Sequence, residues 1–210
     1  MPLQRLTKLE AVNQILQAIG QKPVNTLEGT TSRWALLAES EFNRSNREVQ
    51  QSGWNYNQDS DFTLSVDAAT GTIPVPASII RFVIDGAPHI TIRGDRLYDR
   101  KRNTNLFDMA ECGTATQLLE FEELPEVVKH YVVAMSARRM YEGHVQDNAP
   151  RSLQQDEITA RAQMIDYDTE EGQYNMLDDP TIPYFRGSHL VPGTPRKNVG
   201  DELGSYRRIY

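Results

Sequence analysis

Leu9, Val12, Leu16 and Ile19 recur at steps of three, four and three, and Leu6 extends the series backwards. That spacing lays one apolar stripe along an α-helix of about three turns. Gly20 stands where a left-handed residue ends a helix, and Pro23 cannot continue one. The chain therefore turns back after residue 19, and Val24 and Leu27 anchor the loop that follows. Residues 31–52 are helical in composition, with Thr30 or Thr31 as N-cap, Gly53 at the end, and Trp34, Leu37, Ala38, Phe42 and Val49 facing inward. Two such helices form an αα-hairpin, which needs a further layer to bury its face.

The period changes after Gly53. Trp54, Tyr56, Phe62, Leu64 and Val66 alternate with polar neighbours, the signature of half-buried strands. Pro74 and Pro76 limit residues 71–76 to an edge strand or an extended connector. One short helical turn is expected at 77–82, then strands at 82–84, 90–92 and 97–99 separated by Asp85-Gly86 and Gly94-Asp95, and a last strand at 116–121. These strands make one small antiparallel sheet. Pro125, at the first position of a third helix, precedes an apolar series of Val128, Tyr131, Val132 and Met135, broadened by Val127, Val133 and Met140, so this helix is expected to be central. Residues 144–151 read as a loop, and a fourth helix over 152–174 turns Leu153, Ala160, Met164, Tyr167 and Tyr174 inward. Trp34, Trp54, Leu16 and Tyr131 are assigned to the core.

The reading is an α+β chain: a four-helix bundle from residues 1–53 and 122–179, a small antiparallel β subdomain at 54–121, and an extended C-terminal arm at 180–210. The arm carries Pro180, Pro183, Pro192, Pro195 and four glycines, which disfavour regular structure. Its aromatic residues suit a segment that gains order on a neighbour.

Charge divides the chain. Residues 1–179 hold 17 Lys and Arg against 27 Asp and Glu, a net of −10, whereas residues 180–210 hold 5 against 2, a net of +3. An acidic body opposes tight binding to phosphate backbones, which needs Lys and Arg to displace counterions. The one basic run, Arg93, Arg96, Arg100, Lys101 and Arg102, reads as a nucleic-acid patch or, preferably, as a solvated turn or a contact to an acidic neighbour. Asp166, Asp168, Glu170 and Glu171 oppose the dipole at the end of the fourth helix; a solvated acidic face and a functional one are both open there.

Catalytic constellations are sparse. G-x-S-x-G, Walker, G-x-G-x-x-G and H-E-x-x-H patterns are missing, and His89, His130, His144 and His189 lack partners at ligand spacing, so neither metal nor cofactor is expected. Cys112, the single cysteine, allows no internal disulfide and is read as an inert, at least half-buried thiol. No run approaches 18 apolar residues, and MPLQRLTKLEAV lacks a signal-peptide core, which predicts a chain neither secreted by the usual route nor membrane-spanning. Carboxylate pairs chosen from Glu120, Glu122, Glu123, Asp166 and Asp168 leave glycan hydrolysis as the alternative function.

Three separated stretches point to a family. Ala11-Val12-Asn13, Ile15-Leu16, Ile19-Gly20, Pro23-Val24 and Leu27-Glu28-Gly29 resemble the opening of tail tubular protein A, the adaptor or gatekeeper of short-tailed bacteriophages. Ser52-Gly53-Trp54-Asn55-Tyr56-Asn57 is similar to that family's Gly-Trp turn, and Tyr174-Asn175-Met176-Leu177-Asp178 to the motif closing its last helix. The resemblance implies a non-enzymatic virion protein of the tail, assembled in the host cytoplasm. It would form a dodecameric ring between the portal protein and the nozzle built by the second tail tubular protein, with tail fibre protein nearby and no membrane. Genomic DNA would pass without sequence-specific binding during ejection. By the same analogy the arm, through Tyr184, Phe185, Arg186, Tyr206, Arg207, Arg208 and Tyr210, would touch the portal, and Asp166, Asp168, Glu170 and Glu171 would face the channel.

Overall fold

A computed structural model describes residues 4–29, 31–145 and 148–172; the expected arm and Tyr174 lie outside them. The described residues are mixed α+β, with four helices, two small antiparallel sheets and a separate apolar core for each class of element.

Helix α1 spans Lys8–Ala18 and opens on a capping box that pairs Thr7 with Glu10. That box satisfies two N–H groups the helix itself leaves without partners. Val12, Ile15, Leu16 and Ile19 are buried, and Gly20 takes φ +72°, the left-handed stop its position demands. Asn13 then clamps the returning loop: its Nδ2 donates to the Val24 carbonyl at 2.9 Å and its Oδ1 accepts from the Val24 N–H at 2.8 Å. Helix α2 spans Arg33–Gln51 and is capped by Ser32 rather than Thr30 or Thr31. Its buried line is Ala35, Ala38, Phe42, Ser45, Val49 and Gln50, with Trp34 and Leu37 flanking it half-buried. Helix α3, Glu126–His144, packs against α1, α2 and α4, as its two-sided apolar pattern requires. Pro125 is its N-cap, one place earlier than expected, and Gly143 and His144 remain helical. Helix α4 spans Arg151–Glu171, so Arg151 joins Arg161 as a cation on it. Leu16 and Phe42 sit in this core, Phe42 edge-on to Phe121 at 4.8 Å, while Trp34, Trp54 and Tyr131 are half-buried at its margin.

Between α2 and α3 the chain makes its β excursion. Trp54 and Tyr56 are not strand residues; Asn55–Asn57 is a 3-10 turn that lays both rings against the helical core, and strand β1 begins at Gln58 and ends at Leu64. The helical turn expected at 77–82 does not form, because Ile79–Val83 is strand β2. Residues 71–76 are an extended connector with isolated bridges from Thr72 to Asp67 and Leu106 and from Pro74 to Arg96, as two prolines dictate. Strands β3 (Ile90–Arg93) and β4 (Arg96–Asp99) form a hairpin of their own, so there are two sheets rather than one. The last strand, β5, is Glu111–Gln117, not 116–121. It is the centre of the order β1-β5-β2, antiparallel to both neighbours. Leu119 and Phe121, which drew the expected strand too far along, belong to the helical core instead.

Polar side chains close the junction between the two cores. Gln50, fully buried, accepts the Leu119 N–H at 2.7 Å and donates to the Leu119 carbonyl at 3.1 Å. Asn57, also buried, donates to the carbonyls of Gln50 and Gln117 at 2.9 Å each and accepts from the Trp54 N–H at 2.9 Å.

Lys129 is buried to zero exposure beneath the start of α3, its Nζ 2.9 Å from Glu126 Oε1 and 5.6 Å from the centre of the Phe121 ring. Burial alone would push the pKa of Glu126 up, but the Lys129 bond and the Leu6 N–H outweigh it and hold the carboxyl below its ordinary value. A depressed carboxyl stabilises the fold above the ordinary carboxylate range and loses that contribution as pH falls through the folded value. Glu126→Gln is expected to cost about 1–2 kcal/mol at neutral pH, below the figure for a fully enclosed pair because Glu126 keeps 42% exposure. Urea unfolding from pH 7 to 3 checks it: the variant loses less of its remaining stability on acidification than the parent.

Candidate assembly surfaces

The acidic end of α4 is only partly free. Asp168 Oδ1 accepts the Asn55 N–H at 2.7 Å, and the Asp168 carbonyl accepts from Asn55 Nδ2 at 2.9 Å, so this residue fastens α4 to the turn before β1. Glu171 accepts the Tyr167 hydroxyl at 2.7 Å, which pushes that phenol up to about 12. Tyr56, beneath the same corner, is pushed up by burial first and by the Asp168 charge second. Asp166 and Glu170 are exposed. Of the four predicted carboxylates, two thus serve local bonds and two stand in solvent. The aromatic and basic residues predicted for the arm lie beyond residue 172, outside the described residues.

The basic run is a built surface rather than a loose turn. Arg93 stacks on the Tyr98 ring at 3.7 Å, Arg100 donates to the carbonyls of Pro88 and His89, and Arg102 lies 3.8 Å from Asp108. Asp99 organises the hairpin end: its Oδ1 accepts from the N–H groups of Lys101 and Arg102 at 2.7 and 3.0 Å. The Arg102 bond, opposed by desolvation and aided by Lys101 and His89, keeps Asp99 below the usual carboxylate range. A concavity of about 470 Å³ on this hairpin is lined by Arg93, Asp95, Arg96, Leu97, Tyr98, Asn103, Thr104 and Asn105.

Elsewhere the helices are laced by charge. Lys8 meets Glu39 at 2.7 Å, Arg139 grips both oxygens of Glu48 at 2.7 Å, and Arg138 bridges Glu142 and Glu157. Glu48 is held below its ordinary value by the Arg139 bond. A general acid needs its carboxyl displaced upward, whereas Glu10, Glu48, Asp67, Asp99 and Glu126 all shift downward. Among the described residues no group of three His, Cys, Asp or Glu is placed to hold a metal ion, and no helix is long and apolar enough to cross a membrane. Cys112 is exposed, contrary to expectation, because it points to the face of β5 opposite the buried Ala115.

Of the three stretches that carry the resemblance, the first forms α1 and the loop after it and the second the Asn55–Asn57 turn, while residues 174–178 lie outside the described residues. A sequence model of tail tubular proteins matches residues 9–174. The chain belongs to the tail tubular protein family. Its place is therefore in the phage tail, as a structural component of the virion. Among the described residues of this tail tubular protein, the matched span takes in α2, α3, α4 and both sheets, and α1 from its second residue on. A search of curated proteins finds no match.

Two features of this tail tubular protein escaped the sequence reading. The Asn55–Asp168 fastening joins residues 113 apart, and nothing local marks either partner. The Arg93–Tyr98 stack could have been found, since Arg93 pairs with Arg96 across the two-residue turn and Tyr98, two positions beyond Arg96, lies diagonally from Arg93 on the same face of the hairpin.

Proposed function

We propose that this tail tubular protein is the adaptor between portal and nozzle: a four-helix bundle that assembles as a dodecameric ring, lines the DNA channel and serves as a gate during ejection. The observation that carries the reading is the family match over residues 9–174. The net charge of −10 on residues 1–179 supports the channel role, because a negative wall repels the phosphate backbone and lets DNA slide. In this reading Asp166, Glu170 and Glu171 face the passage, Asp168 holds the helix that carries them, and the ring acts by shape and charge without cofactor or catalysis. The chain would be assembled in the host cytoplasm, meet the second tail tubular protein on its distal side, and lie near the fibre protein.

The basic stretch 180–210, net +3, would form an extended arm embracing the portal through Tyr184, Phe185, Arg186, Tyr206, Arg207, Arg208 and Tyr210. Light scattering coupled to size exclusion, with purified portal rings, tests both parts. Co-elution at one copy per portal subunit is expected for the whole chain, and loss of co-elution for a chain ending at Asp179. A full-length chain that never joins the portal would overturn the adaptor reading.

A further inference from the structure

The geometry points to a head-to-tail contact between copies of this chain, in which the basic β3–β4 hairpin of one copy receives the acidic turn before α3 of the next. It deepens the ring reading and rests on it.

The receiving surface is the concavity beside Tyr98. Arg93 is held flat on the Tyr98 ring, and the Tyr98 hydroxyl is fixed by Asn103, so the pocket floor is set before anything binds. Asp95 meets the Nε of Arg96 at 3.5 Å, and the Arg96 side chain keeps 43% exposure toward a further partner. Lys101, just past the far end of β4, is exposed. Guanidinium forks backed by amide and hydroxyl donors are the chemistry that recognises carboxylates. Leu106 at 54% and Met109 at 71% exposure add an apolar edge for a contact to cover.

The matching surface is the turn Phe121–Glu123. From residue 103 to residue 128 the sequence contains no Lys or Arg, while Glu120, Glu122 and Glu123 stand exposed within four residues. Phe121 and Leu124, at 3% and 2% exposure, pin this turn into the helical core, so its carboxylates project from a rigid base. No ion pair joins Glu120, Glu122 or Glu123 to a Lys or Arg of the described residues; Glu122 and Glu123 meet backbone N–H groups only, at 3.3 Å.

Among the described residues no ion pair joins the two surfaces within one copy, and seven residues of β5, roughly 20 Å, lie between the segment that follows the hairpin and the acidic turn. Distinct complementary patches on one chain make a heterologous contact, the kind that closes into a ring when its rotation permits.

Charge reversal tests the contact, with self-association followed by analytical ultracentrifugation, alone and on portal rings. Arg96→Glu with Lys101→Glu, or Glu122→Lys with Glu123→Lys, is expected to weaken association on the order of 100-fold, since like charges then oppose across the joint. The chain carrying all four changes is expected to regain association within about tenfold of the parent. Reversals that leave association unchanged overturn the contact while leaving the ring intact, as does a fourfold variant as weak as the pairs. An effect confined to Asp166→Lys with Glu170→Lys overturns it in favour of the α4 end, and an effect confined to affinity for duplex DNA overturns it in favour of nucleic-acid binding. A parent chain that neither associates nor joins portal rings overturns the contact and the ring together. Should the reversed chains fail to fold, Lys101→Cys with Glu122→Cys on a Cys112→Ser background is expected to give disulfide-linked oligomers; monomers alone would overturn the contact.

Discussion

Gly113→Ala is expected to lower the unfolding free energy by about 3 kcal/mol, although it adds a single methyl group. A Cβ at this position would lie 2.3 Å from the carbonyl oxygen of Val83 and 3.0 Å from its carbonyl carbon. Those are backbone atoms of β2, the strand that pairs with β5 through Val83 and Thr114. They cannot rotate aside as a side chain would, so the methyl must push the two strands apart or twist β5 away from β1, which it pairs at Phe62. Urea denaturation monitored by tryptophan fluorescence and far-UV circular dichroism measures the loss. A cost under about 0.5 kcal/mol, the range of ordinary surface changes, would mean that the strands are further apart than the structure places them.

Asn57→Ala is expected to cost a similar amount, again about 3 kcal/mol, by a different route. Asn57 is 2% exposed, and its amide closes three hydrogen bonds at once, with Trp54, Gln50 and Gln117. Removing it strands two carbonyls and one N–H where water reaches poorly, and an unmade buried bond costs more than a made one contributes. Asn57→Asp sharpens the test. The aspartate could still accept from Trp54, but it would turn a second acceptor, charged, toward two carbonyls, so it is expected to be at least as damaging as alanine. Hydrogen exchange should show the damage first at the Trp54 and Leu119 N–H groups, the latter through Gln50, whose own carbonyl Asn57 supports.

The helices were legible because each carries its instructions locally. The stripe of Val12, Leu16 and Ile19 and the stop at Gly20 need no knowledge of what lies elsewhere, and the structure returns α1 within a residue or two. Strand β5 was misplaced for the opposite reason. A central strand squeezed between two neighbours is built here from Cys112, Gly113, Thr114, Ala115 and Thr116, residues selected for how little room they occupy, and smallness has no period. Burial of Gln50, Asn57 and Lys129 was equally hidden, since a polar residue declares itself internal only through partners, and the Gln50 partner at Leu119 lies 69 positions away. For the candidate surfaces, the basic run was visible as charge, but its stacked and braced geometry was not. The acidic end of α4 was visible as composition, yet composition could not tell Asp168, which fastens, from Asp166, which stands free.

The β excursion leaves and rejoins the helical framework at almost one point: Asn57 bonds the carbonyl of Gln117, and Gln58 pairs with Thr116. Sixty residues of strand and loop are thus an insertion between two consecutive helices, attached through a neck two strands wide. An insertion so attached is free to diverge. Its loops can lengthen, change charge or acquire a new partner while the helices on the other side of the neck keep the same boundary to satisfy. Lineages of this family could therefore exchange what the excursion touches without renegotiating the framework that bears it.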